Sequence, residues 1–533
     1  MKRVVYLAIV VSLLNGSLFG ESAEDLANHG LRAWTLHSTN EAIADFTQAI
    51  QTAPQDPQPL FDRGLMEAMQ GDFSGAAHDY DSAISLKPDF VDAYYQRAHA
   101  RTVLRDLDGA IADFDRAIKF NPGFSEAYGS RGTIKAEKND LDGALADCNQ
   151  AIEINSNLAE SFYQRARVKR ALNDLDGALA DCDRSVKLKP LKEGFYVYRA
   201  FIKDVKDDLD GAMADYSKAI ELRPDFEEAF AGRGLIKFTE KDLAGALIDY
   251  NKAVELRPLV TKNFIARARV KEAQNDRNGA VADCDHAVEI RPDLPENYVY
   301  RAHLKLTAGD LEGALADCDL AINIKPALAG AYEERAFVQM GRSHAKEALG
   351  DLHKQIELSP HYGWAYRTRG VLYYDLRSFT NSLADLRRAC ELSHSARDYS
   401  YFHIWLVRTK CGEREEATRE LQAYLENRAP QKGREWALKI GLFLAGRMTE
   451  DDLLKGAVDS NGKTDANQHC EAYFYAGSKR LLDGDQATAK DYFEKSLATN
   501  VRSFTEYTSS KAELRYLKEG STENRHAPDL AAP

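Results

Sequence analysis

The charged residues that could do chemistry in this chain recur in step. Arginines stand at Arg63, Arg97, Arg131, Arg165, Arg199, Arg233, Arg267, Arg301, Arg335 and Arg369, each 34 residues after the one before. An aspartate column keeps the same step in eleven segments, including Asp113, Asp147, Asp181, Asp215, Asp249, Asp283 and Asp317. Lys135, Lys169, Lys203, Lys237, Lys271 and Lys305 follow the arginines four residues on, one helical turn away. A row of guanidiniums could collect an anionic ligand. Alternatively, each arginine could pair with the aspartate of its own segment, as a partly buried guanidinium requires. Since every arginine has such a companion, the expected arrangement is an ion-pair ladder between neighbouring helices.

Other chemistry finds less support. Asp106-Leu107-Asp108-Gly109 recurs as Asp140 to Gly143 and Asp174 to Gly177. A calcium loop needs oxygen ligands at its places 1, 3 and 5, glycine at 6 and glutamate at 12. Glycine stands fourth here, so these segments read as turns that cap a following helix. Cys148, Cys182, Cys284 and Cys318 share one place in the step and read as small buried hydrophobes, too far apart on stacked units to be bridged. Cys390, Cys411 and Cys470 are irregular, and a disulfide among them stays open. No Cys/His spacing suggests zinc, the 13 histidines do not cluster, and the phosphate-loop, HExxH and GxSxG patterns are missing. No catalytic residue, metal or cofactor is expected.

The positioning elements show in the prolines. Pro88 and Pro122 are 34 residues apart, and Pro190, Pro224, Pro258, Pro292, Pro326 and Pro360 keep that step, with Ser156 in the one gap. With proline numbered 32, position 8 is small (Gly64, Ala98, Gly132, Ala166, Ala200), position 20 is alanine (Ala76, Ala110, Ala144, Ala178) and position 4 is aromatic (Tyr94, Tyr128, Phe162, Tyr196). Positions 4, 8 and 11 share one face of a first helix, and 20, 24 and 27 one face of a second. A lone hairpin of this kind cannot bury its apolar face, so the units must stack.

In period and columns the chain closely resembles the tetratricopeptide repeat family, over about residues 23–396 in eleven units. The resemblance implies an all-α fold, a right-handed α-solenoid (superhelix) of about 12–13 antiparallel helical hairpins. It also implies that positions 2, 5, 9 and 12 line a concave groove for a protein or peptide ligand. The candidate partner-binding residues on that stripe are Tyr95, His99, Tyr163, Arg167, Arg170, Phe201, Arg269, His303, Phe337, Arg367 and Tyr374. Aromatic and arginine side chains are the usual interface anchors. The Lys/Asn clamp with which some relatives grip a chaperone tail is missing from positions 5 and 9, so that partner is not expected.

The two ends depart from the repeat. Lys2 and Arg3 precede an apolar run from Val4 to Leu14, then the polar and small Asn15, Gly16 and Ser17, with Gly20 leading into Glu21, the order of a secretory signal at 1–20, although Leu18 is a poor residue three before the Gly20–Glu21 bond. Cleavage there would take the formal charge from -13 to -15. The expected location is across the inner membrane, periplasmic, with an uncleaved signal anchor as the alternative. No other segment is apolar enough to span a membrane, so no transmembrane span is expected in the mature chain. Beyond the repeats, residues 397–430 read as a degenerate hairpin, 431–469 as irregular helices and a loop (456–468), 470–518 as a final unit with a closing helix, and 519–533 as a disordered tail. The runs Cys470–Gly477, Phe504–Tyr507 and Ala512–Leu514 resemble the end of bacterial cell-envelope tetratricopeptide proteins, among them a lipoprotein adaptor of cell-wall hydrolases. The lipoprotein's anchoring cysteine is absent here.

A formal charge of -13 without a long basic run argues against nucleic acid as a partner. The expected function is an exported scaffold or adaptor in envelope assembly or regulation. Two alternatives remain: an enzyme-associated or catalytic protein with a site in the irregular C-terminal part, and a solenoid that self-associates.

Overall fold

The computed structural model describes residues 38–428, 434–458 and 462–520. The signal expected at 1–20 and the tail beyond residue 520 lie outside the described residues. Among the described residues there are 28 helices and no strand. Consecutive helices pack in pairs as a tetratricopeptide solenoid. The chain divides into two compact units, Met1–Ile236 and Lys237–Pro533.

In the first unit, one repeat shows how the sequence makes the hairpin. Helices Val91–Val103 and Leu107–Phe120 bury Ala93, Tyr94 and Ala98 against Ala110, Phe114 and Ala117. Between the helices Arg105 adopts a left-handed φ of 67°, repeated at Asn139 (65°), Asn173 (63°) and Asp207 (65°) and taken by Gly71 in an earlier repeat. Asp106 then caps the second helix, accepting from the Gly109 amide at 3.0 Å. A Cβ on Gly109 would fall 2.1 Å from the Asp106 carboxylate, which explains why the motif ends in glycine. The small column has a steric cause too. A Cβ on Gly64 would lie 2.8 Å from the Tyr80 ring. The aromatic column is often tyrosine because its hydroxyl donates to the proline carbonyl that opens the repeat, as Tyr196 does to Pro190 at 3.1 Å.

The ion-pair ladder is present and reaches further than expected. Arg199 donates from Nε and Nη2 to both oxygens of Asp215, at 2.8 and 2.6 Å. Lys203 adds a contact to Asp215 at 2.8 Å. The third arginine nitrogen, Nη1, crosses to Asp183 of the preceding repeat at 2.9 Å. The guanidinium also lies over the Tyr196 ring, 5.4 Å from its centre. Arg131 repeats the arrangement with Asp147 and Asp115. From Arg63 to Arg199 each arginine therefore locks one hairpin and ties it to its neighbour. Asp215 is only 4% exposed, so without the arginine a nearly desolvated carboxylate would keep only Lys203.

In the second unit the same rungs recur, for example Arg301 with Asp317 and Asp285, and Arg335 with Asp351 and Asp319. Past Leu392 the pattern changes. Phe402, Trp405, Tyr374, Phe474, Tyr475 and Phe493 join one continuous core. Helix Gly462–Leu482 runs for 21 residues through most of the segment read as a loop. Between Lys463 and Ala476 there is neither proline nor glycine to stop it, and Asp465 pairs with His469 one turn on at 3.4 Å. The final hairpin keeps the repeat's register. Asp485 caps at Thr488, and a Cβ on Gly477 would meet the Phe493 ring at 2.9 Å. All seven cysteines are free thiols, Cys390, Cys411 and Cys470 among them. Burial pushes the Cys148, Cys182 and Cys284 thiols up to about 12. The closing helix, Thr505–Gly520, packs back onto helix Gly363–Asp375.

Candidate functional site

The stripe at positions 5, 9 and 12 divides into four settings. In the first unit, Tyr95 and His99 form an aromatic cluster with Phe114 and Phe124, the Tyr95 ring 4.5 Å from His99 and 4.7 Å from Phe124. Two repeats on, Tyr163, Arg167, Arg170 and Phe201 come together. Tyr163 packs on Phe195 and Tyr198, both at 5.2 Å, and Arg170 lies over the Phe201 ring at 5.3 Å. Arg167 and Arg170 are exposed.

In the second unit, Arg269 is exposed and lies 5.6 Å over Tyr300, while His303 Nδ1 sits 3.3 Å from Glu334. Phe337 is half-buried. Arg367 and Tyr374 require a correction. They were expected on an open groove, but they are 5% and 0% exposed. The closing helix covers them. Arg367 Nη1 donates to Thr505 at 3.2 Å and Nη2 to Glu506 at 3.0 Å. Tyr374 donates to Glu513 at 2.7 Å, and Arg377 grips both oxygens of Glu513 at 3.0 and 2.6 Å. Lys410 stands 3.0 Å from the same carboxylate.

Around this contact lies a buried polar cluster and a cavity of about 410 Å³, lined by Glu333, Phe337, Trp364, Arg367, Tyr399, Glu471, Phe504 and Glu506 among others. The Arg367 guanidinium is held between the Trp364 and Tyr399 rings, at 5.4 and 5.3 Å. Glu471 accepts from Tyr399 at 3.0 Å and from Trp436 at 2.5 Å. Burial, with repulsion from Glu506, pushes the Glu471 carboxyl up. Burial acts on Glu506 in the same direction, but Arg367 and His403 outweigh it and hold that carboxyl below its ordinary value. Lys410 and Arg377 likewise overcome burial at Glu513 and hold it at about 2. Burial brings His403 down to about 4. Glu506 and Glu513 thus hold the closing helix in place, and Glu471 ties helix Gly462–Leu482 to Tyr399 and Trp436.

Reading the stripe by itself did not identify Glu506, Glu513, Glu471 or Trp364 as contributors. A signal for three of them was present, because Glu471, Glu506 and Glu513 lie in the three short runs singled out near the C-terminus. The seven-residue spacing of Glu506 and Glu513 puts both of their carboxylates on one helix face.

The tetratricopeptide repeat family model matches residues 28–89 and 95–159. The helices there have the packing, caps and period that this match implies. Among solved structures, a tetratricopeptide repeat protein from Parabacteroides merdae is similar at 20% identity, over 47% of this chain and 99% of that one, with a TM-score of 0.41. Yeast Tom70 is similar at 17% identity over 75% and 96% of the two chains, with a TM-score of 0.38. YrrB, described as a tetratricopeptide protein with an unusual peptide-binding site, is similar at 22% identity over 34% and 95%, with a TM-score of 0.28. No curated protein sequence matches the chain. No helix among the described residues is long and apolar enough to cross a membrane.

Proposed function

We propose that this chain is an exported, non-catalytic scaffold that holds segments of other proteins along the stripe at positions 5, 9 and 12 of its repeats. The observation that carries this reading is the closing helix. It lies on that stripe at Arg367 and Tyr374 and is held by charge-assisted bonds to Glu506 and Glu513, so the surface accommodates a helix. Tetratricopeptide folds serve protein–protein interaction, and the exposed arginines and half-buried aromatic residues of the other repeats are suited to it. The polar constellation that the enzyme reading called for exists in the C-terminal part, but its main carboxylates are engaged in holding the fold together.

Export to the periplasm rests on Lys2, Arg3 and the Val4–Leu14 run, and a role in bacterial envelope assembly or regulation follows from that location and the C-terminal resemblance. Two measurements test the proposal. A photo-crosslinking residue placed at Tyr95 or Arg269 should capture a protein partner in the native cell, and one at Ile248, 68% exposed on a second helix, should not. Equal capture at all three positions would remove the groove from the account. A mature mass that still contains residues 1–20, with the chain in the cytoplasm, would refute export.

A further inference from the structure

We propose that the Met1–Ile236 unit carries a docking site for an acidic amphipathic helix of a partner protein, centred on Arg167, Arg170 and Phe201. The inference rests on the scaffold reading and adds to it the chemistry of the partner. On helix Ala159–Ala171, the neighbouring basic residues are already used. Arg165 is held by Asp181 and Asn149, and Lys169 by Asp181. Arg167 and Arg170 are exposed on the groove stripe, one turn apart, with no ion-pair partner among the described residues. Asp204, on the same stripe one repeat on, forms an ion pair with neither. In a chain of net charge -13, two guanidiniums on one stripe without a carboxylate partner among the described residues form a local basic site in an acidic background.

The surface beside them is apolar. Arg170 lies 5.3 Å over Phe201, which is 36% exposed, and Val205, one turn along the same helix, is 50% exposed. A ligand must therefore offer carboxylates beside an apolar strip, as an acidic amphipathic helix does. The second unit independently shows this chemistry at work. There the same stripe, at Arg367 and Tyr374, and Arg377 beside it, receive Glu506 and Glu513 of a helix, two turns apart on one face. Tyr163, Arg167 and Arg170 occupy positions 5, 9 and 12 of their repeat without such an occupant among the described residues.

The probe is a stapled 16-residue peptide with the sequence of Thr505–Gly520 made acidic by Lys511→Gln, Arg515→Gln and Lys518→Gln, which leave Glu506, Glu513 and Glu519 as its charged side chains, fluorescently labelled and added to the full chain. It should bind and weaken as salt is raised. Arg167→Glu with Arg170→Glu in the protein should weaken it at least about tenfold, as should Glu506→Gln with Glu513→Gln in the peptide. The thermal unfolding curve of the double arginine variant should stay close to the parent's, because neither residue holds an ion pair and the exposed Arg170–Phe201 contact adds little. Absence of binding, binding insensitive to either pair of changes, or tighter binding of a single-stranded oligonucleotide through the same arginines would overturn the acidic-helix site. Partner crosslinks at Tyr95 or Arg269 without peptide binding would sink only this inference. Loss of those crosslinks would sink the scaffold reading itself.

Discussion

Guanidinium and carboxylate meet in two very different ways in this protein. In the repeats of the first unit, Arg199 and Asp215 are 16 residues apart, belong to the two helices of one hairpin, and are copied with small variations along the array. In the C-terminal part of the second unit, Arg367 reaches Glu506 across 139 residues and Arg377 reaches Glu513 across 136. The repeated pairs are partly exposed rungs with a lysine and a second aspartate in support. The C-terminal pairs are nearly dry, with Glu513 1% exposed under three donors, Tyr374, Arg377 and Lys410. The difference teaches that the same pair is a standard local fastener in one region and the closure of a long loop in the other. Failure of a rung should be local, and failure of the C-terminal contact should free a whole helix.

Breaking the C-terminal contact should have the largest effect. Glu513→Gln leaves Arg377 and Lys410 buried without their counter-charge and should cost about 3–5 kcal/mol. Hydrogen exchange in helix Thr505–Gly520 should rise towards the exposed limit while the first unit's repeats keep their protection. The effect should also depend on pH in a set direction. The folded carboxyl sits at about 2, below its ordinary 4.5. The stability it contributes is therefore complete above about 4.5 and lost as pH falls from there towards 2. The gap between parent and Glu513→Gln should close over that window, and a gap that widened on acidification would contradict the assignment.

Arg199→Leu tests the rung and should cost about 2 kcal/mol, since Asp215 retains Lys203 but loses its bidentate partner. Denaturant unfolding and exchange should place the loss around helices Glu193–Val205 and Leu209–Leu222. If protection fell equally in helix Thr505–Gly520, the contrast between local rung and long-range closure would fail. The smallest effect should be a gain. Asp207→Gly relieves a left-handed φ of 65° and should stabilise by about 0.5–1 kcal/mol, read as a rise in the unfolding midpoint. A loss there would mean that the hairpin turn is held by the Asp207 side chain and not by backbone geometry.

Most of the regular fold was legible in residue spacing. The 34-residue step, the small columns at positions 8 and 20 and the Asp-x-x-Gly caps all describe contacts within one hairpin or between adjacent ones. Such contacts repeat whenever the residues repeat. The groove stripe was legible as a set of positions, and Tyr163, Arg167, Arg170 and Phe201 do come together. Arg367 and Tyr374 were misjudged for the converse reason. Nothing in their own repeat distinguishes them from open groove residues, because what covers them comes from 138 or more residues further along the chain.

The sequence by itself thus determined the hairpin, its period, the caps and the charge ladder, since each depends on separations of 34 residues or fewer that recur in register. Only the tertiary structure decided where the chain closes on itself: that Thr505–Gly520 lies on Gly363–Asp375, that Glu471, Glu506 and Glu513 become interior groups, and that Arg167 and Arg170 stay exposed. Those outcomes depend on a single long loop closure that occurs once. A contact made once leaves no periodic trace, whereas the ladder is written into every repeat that carries it.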